Sequence, residues 1–140
     1  MSDTDDLLPW LRAQIAGTER SAIEALGAGA TWVVRYDDED HSLIGGTPDF
    51  DVAETIGNLA DLFAAHIVRH DPRAVLAQCE AHTAILDLYD LVIDRASIDL
   101  KDDDGVLLTH PIARRRMRDV VKRLALTYQH CPGYQEAWRP

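Results

Sequence analysis

The strongest constraint on the fold lies at His70, Asp71 and Pro72, where one helical pattern ends and a second begins. Proline lacks the N–H that a helix interior needs but suits a first turn, and aspartate is a good helix cap. The sequence therefore predicts two consecutive helices within residues 53–96. Their predicted buried faces are Ile56, Leu59, Ala60, Phe63 and Ile67 in the first helix, and Val75, Cys79, His82, Leu86, Tyr89, Ile93 and Ala96 in the second.

Further elements are predicted on both sides of this helical pair. Residues 4–26 predict a first helix and residues 110–128 a last one, because apolar residues recur at helical spacing in both. Residues 31–36 are rich in β-branched and aromatic side chains, and 41–44 can return as a second strand. The predicted inward-facing residues are Leu8, Leu11, Ile15, Ala22 and Ile23 in the first helix, and Ala113, Met117, Val120, Val121, Leu124 and Tyr128 in the last.

The predicted fold is mainly α, with about four helices in a bundle-like packing and a small β-hairpin, at about 31–45, between helices 1 and 2. Residues 1–140 are predicted to form a single helical domain with a C-terminal tail at about 130–140. Tyr134 and Trp138 in this tail are spaced to pack back on the core. The chain is long enough to bury such a core.

The net charge of −10 argues against a protein whose main role is to bind phosphate backbones. No apolar run is long enough to span a bilayer, and the start lacks the pattern of a secretory signal. We therefore expect a cytoplasmic protein with no membrane partner, and nucleic acid is not the expected ligand. Cys79 and Cys131 form no CxxC pair and imply no disulfide framework.

A basic patch interrupts this acidic composition. It has two interpretations: a solvated helix face opposite acidic segments, or a local site for nucleic acid or an acidic partner. The patch consists of Arg114, Arg115, Arg116, Arg118, Lys122 and Arg123.

The histidines His66 and His70 are four residues apart, so both imidazoles can lie on one side of a helix. Ile67 stands where a zinc protease has its glutamate, and spacing fixes no third ligand. We therefore predict no metal and no cofactor. His82 and Cys79 belong to a predicted buried face, where a thiol is protonated and inert. The acidic stretch 99–105 does not match a calcium-binding loop, because Leu100 and Pro111 occupy ligand positions.

The segment AAHIVRHDPRAVLAQCEAH and the end LALTYQHCPGYQEAWRP resemble a family of small proteins of unknown function from actinobacteria and their phages. Its members typically read HIARHDPARVLREVEAK near the middle and close with LRLLALPYADHPDYREEWRP. A start of the type DDLVAFLRARL is matched here by DDLLPWLRAQI. The positions that match the family are His66, Arg69, His70, Asp71, Pro72, Glu80, Tyr128, Pro132, Tyr134, Glu136, Trp138, Arg139 and Pro140.

This resemblance implies a phage, prophage or actinobacterial origin and carries no established activity. Many members have a CxxC and a later Cys-Pro that look like metal ligands. This chain has no CxxC, and Arg118 falls about where the later cysteine stands. The resemblance therefore implies that any metal site of the family is lost here or rebuilt from other residues.

The predicted function is that of a non-catalytic, acidic protein of phage or prophage type that binds a host protein, as an inhibitor or a DNA mimic. No complete catalytic constellation is found, and a homodimer is left open. The alternatives are a metal-dependent hydrolase that uses His66, His70 and Asp71, in which His70-Asp71 resembles the HD pair of helical phosphohydrolases, and a virion component. The candidate binding residues are His66, Arg69, His70, Asp71, Trp138 and Arg139.

Overall fold

The computed structural model describes residues 5–38, 40–46, 50–97 and 111–140. The secondary-structure elements over these ranges are α1 (Leu7–Ala25), β1 (Val33–Asp37), β2 (His41–Gly46), β3 (Phe50–Ile56), α2 (Ala60–Arg69), α3 (Pro72–Ser97) and α4 (Pro111–Ala125). Short 3-10 turns follow α1 at Leu26–Ala28 and α4 at Leu126–Tyr128, and a third lies at Glu136–Trp138. The prediction of a mainly α protein is confirmed at this level.

The chain divides into two compact units. The contiguous unit is Ala16–Cys79, and the discontinuous unit combines Met1–Ile15 with Glu80–Pro140. The contiguous unit contains the whole sheet and α2, together with the later part of α1 and the start of α3. The discontinuous unit contains the start of α1, the rest of α3, and α4.

The sheet of the contiguous unit has the order β1-β2-β3 with both pairs antiparallel. The side chains of Ser42 and Ile44, two residues apart in the central strand, are fully buried. Alternate residues of a strand share a face, so this face of β2 is the interior one. The Arg35 guanidinium donates a hydrogen bond to the carbonyl of Gly46, which links β1 to the end of β2.

The third strand corrects two predictions. Residues 53–56 were expected to begin a helix, and a two-stranded hairpin was expected before it, but Phe50–Ile56 pairs with β2 instead. Gly57 follows with a φ of +108°, a conformation that side chains other than glycine rarely adopt. This turn separates the strand from the helix, so α2 begins only at Ala60.

The predicted buried face of α2 is also wrong in part. Ala60 is buried, whereas Leu59, Phe63 and the strand residue Ile56 are exposed by 50, 54 and 73%. Besides Ala60, the helix buries Ala64, which was not predicted to be buried. The Thr55 hydroxyl donates a hydrogen bond of 2.7 Å to the Ala60 carbonyl. The small alanines, together with this bond from β3, set which side of α2 faces inward.

The core of the discontinuous unit follows the predicted spacing more closely. Leu11 and Ile15 of α1 are buried, as are His82, Leu86 and Tyr89 of α3. The last helix buries Val121 and Leu124, and Tyr128 of the 3-10 turn is buried as well. These predicted core positions are confirmed. They could be predicted because the i, i+3, i+4 and i+7 pattern is continuous within each helix.

Three predicted core residues of α1 and α4 are instead exposed: Ala113 at the start of α4, and the two larger residues Ile23 and Val120. Ile23 of α1 is 53% exposed and Val120 of α4 is 40% exposed. Each lies next to a buried residue, Ala22 and Val121, so the apolar stripe is one residue narrower than the pattern suggests. The side chain of Ala96 and the acidic stretch 99–105 lie outside the described residues.

Candidate functional site

We name as the outer face of α2 its residues Leu62, Phe63, His66 and Arg69, together with Leu59, which directly precedes the helix. Residues three and four apart lie on one side of a helix, so these positions form one stripe. Leu62 is 59% exposed and Phe63 54%, and His66 and Arg69 in the last turn are exposed too. The stripe therefore passes from an apolar half to a basic half along a single helix.

His66 and His70 lie side by side at the end of this helix, as their spacing predicted. Their ring centroids are 4.6 Å apart, and the His70 Nδ1–H donates to the backbone carbonyl of His66 at 2.9 Å. This bond fixes the orientation of the His70 ring. In its neutral form the ring then has Nε2 as its acceptor atom.

Asp71 acts as the cap of α3. One carboxylate oxygen accepts the backbone N–H of Ala74 at 2.9 Å, and the other accepts that of Trp32 at 3.3 Å. The side chain is 8% exposed. Both oxygens therefore have structural partners, as expected for a residue that begins a helix. Over the ranges described, no group of three or more His, Cys, Asp or Glu side chains could hold a metal ion.

A cavity of about 220 Å³, open to solvent, lies within the contiguous unit. His70 and Pro72 line it on either side of Asp71, and Trp32, whose backbone Asp71 holds, lines it as well. Ala22 and Ala25 of α1 add small apolar surface. The cavity could not be found from the sequence, because its walls come from segments up to 57 residues apart, from Thr18 to Val75.

Four of the six residues of the basic patch lie on the exposed side of α4, whereas Arg114 and Lys122 are half-buried. Arg115, Arg116, Arg118 and Arg123 are exposed, and the neighbouring Val121 is buried. None of the six basic residues forms a salt bridge with a carboxylate in the described part of the chain. Of the two interpretations of this patch, the solvated helix face needs no partner, and both remain predictions.

Trp138 and Arg139, the two candidates from the tail, differ in their surroundings. Trp138 is 2% exposed and packs against Trp10, with ring centroids 5.1 Å apart, and edge-on to Tyr134 at 5.8 Å. The Trp10 indole N–H donates to the Pro132 carbonyl at 3.0 Å. We name Trp10, Tyr134 and Trp138 the aromatic cluster. Its packing gives the tail a structural role.

Arg139 lies at the surface and pairs with Glu136. Its Nε donates to the Glu136 carboxylate at 2.5 Å, and this hydrogen bond raises the pKa of the guanidinium above its ordinary value. An exposed pair of this kind contributes little to stability. It joins the first residue of the 3-10 turn to the residue that follows the turn.

Two buried groups in α3 could have carried chemistry. Burial, and secondarily the charge of Glu19, raises the pKa of the Cys79 thiol, so at neutral pH it is protonated and a poor nucleophile. His82 shares a hydrogen bond of 2.9 Å between its Nδ1 and the Tyr128 hydroxyl. Burial lowers the pKa of His82, which favours a neutral ring. Both residues therefore behave as core residues.

The neutral state of His82 predicts a pH dependence of stability. Its pKa lies below the ordinary value of 6.5 only in the folded state, so the unfolded chain binds more protons as the pH falls below about 6.5. The free energy of unfolding should therefore decrease on acidification. In His82→Gln the decrease between pH 7 and 5 should be smaller, as measured by urea unfolding. His130→Gln, at an exposed position, should keep the slope of the unsubstituted protein. Equal slopes in all three proteins would contradict this account.

The fold and these surfaces define a mainly helical protein with a small antiparallel sheet, an exposed amphipathic stripe and a lined cavity in the contiguous unit. Over the residues described, none of its helices combines the length and apolar character needed to cross a membrane. The chain belongs to a family of unknown function (DUF6221), whose sequence model matches residues 4–140. No curated protein and no solved structure matches the chain.

Proposed function

We propose that this is a non-catalytic binding protein that contacts a partner protein through the outer face of α2. The observation that carries the proposal is the exposure of Leu62 and Phe63, by 59 and 54%, next to each other on one helix. Contiguous exposed apolar side chains mark interaction sites, whereas single ones are ordinary. Leu59 and Ile56, exposed by 50 and 73%, extend the apolar area toward the end of β3.

The charge of the same face specifies the partner. His66 and Arg69 lie in the last turn of α2, beyond the apolar half of the stripe. The complementary surface is apolar with an acidic border, such as one face of an acidic amphipathic helix. Charge at the border of an interface governs the association rate and the choice of partner more than the affinity. The basic border therefore makes the proposed binding selective for one kind of partner, whereas an apolar patch alone would bind apolar surfaces in general.

The biological setting belongs to the same proposal. We infer a phage, prophage or actinobacterial origin from the resemblance of the central and C-terminal motifs, and a host protein in the cytoplasm as the partner. Inhibition of that partner is the expected consequence of binding. The proposal does not extend to DNA mimicry, because the face that carries it is apolar and basic.

The first test compares crosslinking from two exposed leucines. A photoreactive amino acid at position 62 should capture one discrete protein from an actinobacterial lysate, because Leu62 lies in the proposed contact. The matched control is position 88, since Leu88 is 50% exposed on α3 and lies outside the stripe. Arg69→Glu should reduce capture from position 62 at low salt. Equal capture from both positions, or no effect of Arg69→Glu, would count against the proposal.

The second test separates binding from folding. Leu62→Ser combined with Phe63→Ser should abolish capture of the same protein by the purified chain, yet change the free energy of unfolding by only about 0.5 kcal/mol or less per site, because exposed positions contribute little. The control pair is Leu88→Ser with Leu91→Ser, exposed by 50 and 45%. Stoichiometric metal in the purified protein, lost in His70→Ala, would favour the hydrolase alternative instead. The presence of the protein in purified phage particles would favour the alternative of a virion component.

A further inference from the structure

We propose that the cavity of the contiguous unit binds a small, monocyclic aromatic molecule with a hydroxyl group, of which phenol is the simplest representative. The inference does not depend on the proposed partner protein, since the cavity residues are distinct from the outer face of α2. It begins from the motif His70-Asp71-Pro72. His70 and Pro72 line the cavity, and Asp71 between them accepts the backbone N–H of Trp32, which lines it as well.

The walls of the cavity are held in place by hydrogen bonds between its segments. The Trp32 backbone N–H is donated to Asp71, and the Arg73 backbone N–H is donated to the Ala30 carbonyl at 3.0 Å. These bonds connect the start of α3 with the chain before β1 at two points. Because both ends of the contact are fixed, the site is formed before a ligand arrives, which lowers the entropy lost on binding.

The size and lining of the cavity limit the ligand. A dry, apolar cavity of about 150 Å³ accommodates benzene. The space here is about 220 Å³ and, unlike that cavity, open to solvent, so it is large enough for one aromatic ring with one or two small substituents. It is smaller than the roughly 300–1,000 Å³ of drug-sized sites. Its surface is mainly apolar, from Trp32, Ala22, Ala25, Pro72 and Val75.

The polar groups indicate a hydroxyl. His70 Nδ1–H is already donated to the His66 carbonyl, so Nε2 of the neutral ring is the atom that can accept a hydrogen bond from a ligand. Ser21 also lines the cavity, and its hydroxyl can donate to the ligand oxygen. A phenolic hydroxyl both donates and accepts. A hydrocarbon ring would leave His70 without this bond, and a carboxylate would offer no donor to Nε2.

The Trp32 indole provides a second observation. Its Nε1 is buried and has no hydrogen-bond partner among the described residues. Buried polar groups are nearly always paired, so an unpaired one marks a place where a partner can be gained. Trp32 belongs to the cavity wall, so its indole N–H resonance should report directly on occupation of the site.

The test is a titration of the purified protein with phenol at pH 8, where imidazoles are ordinarily neutral, followed by 15N–1H NMR. The Trp32 indole resonance, assigned with Trp32→Phe, should shift in a saturable manner. Toluene should bind about five- to tenfold more weakly, the usual effect of one hydrogen bond. His70→Phe should weaken phenol binding by a similar factor and leave toluene binding unchanged.

Two variants test the place of binding. Ala25→Leu should fill the cavity and abolish the shift, whereas Ala16→Leu, at an exposed position of the same helix, should preserve it. No saturable shift, or an unchanged shift in Ala25→Leu, would overturn the proposal. Equal affinity for toluene and phenol would overturn the hydroxyl requirement. If Ala25→Leu does not fold, the comparison of His70→Phe with the unsubstituted protein decides.

Discussion

Trp138→Ala should lower the free energy of unfolding by about 3–5 kcal/mol, the usual cost of truncating a buried tryptophan. Trp138 is 2% exposed and contacts both other members of the aromatic cluster. The substitution removes these contacts and leaves a space that the tail cannot fill without moving. Since small domains are stable by only about 5–15 kcal/mol, the loss is a large fraction of the total.

The measurement is urea unfolding combined with amide hydrogen exchange. Exchange should accelerate in the discontinuous unit, where Trp138 packs, more than in β1, β2 and β3. Arg139→Ala is the matched control, because it changes the next residue, whose exposed pair with Glu136 contributes little. A loss below 1 kcal/mol for Trp138→Ala, or an equal loss for Arg139→Ala, would mean that the tail does not support this unit.

Gly46→Ala should be the most damaging small substitution in the contiguous unit. A Cβ at this position would overlap the backbone carbonyl of Ala28, and a backbone atom cannot move aside as a side chain can. Overpacking of this kind costs about 1–3 kcal/mol and occasionally more. Gly46 also accepts the hydrogen bond from Arg35, so a shift of its backbone would disturb β1 as well.

Two other glycines provide the controls for this substitution. A Cβ at Gly27 would have no neighbour within 4 Å, and Gly27 has no positive φ, so Gly27→Ala should be neutral or stabilising. At Gly45 the three atoms nearest to the added Cβ all belong to the Arg35 side chain, which can move, so the effect should lie between the two. The midpoint of thermal unfolding should be highest for Gly27→Ala, intermediate for Gly45→Ala and lowest for Gly46→Ala. Any other order would contradict the assigned contact.

Long periodic segments could be predicted from the sequence, because the whole apolar pattern of each segment lies within a single helix. The start of α3 at Pro72 and its buried residues Cys79, His82, Leu86 and Tyr89 were all predictable in this way. The signal for these residues is local, since spacing along one helix determines which residues face inward. The packing of Trp138 was predicted too, but its partner Trp10 lies far away in the sequence.

The third strand could not be predicted from local spacing. The run from Ile56 to Ile67 also fits a helical period, and what decides against it is pairing with β2 and the turn at Gly57. A glycine with positive φ is visible in the sequence only as a glycine. The exposure of Phe63 likewise depends on the alanines that α2 turns inward, which is a tertiary effect.

For the candidate sites the result is similarly divided. The proximity of His66 to His70 and the capping role of Asp71 follow from spacing and residue type, and both are seen in the structure. The cavity does not follow, because Trp32 and Ser21 reach it from other segments. Leu62 was not a predicted site residue, because tertiary contacts decide which side of α2 faces inward.

The discontinuous unit has a consequence for biosynthesis. Its Trp10 binds the carbonyl of Pro132, 122 positions later, so this half of the protein waits for the last part of the chain to be translated. At about 5–20 residues per second, residues 80–140 take roughly 3–12 s to make. During that interval Leu7 and Leu11 have no finished core to enter, whereas residues 16–79 have already left the peptidyl transferase centre. A nascent chain that stops before Trp138 should therefore be a preferred target for chaperones and proteases.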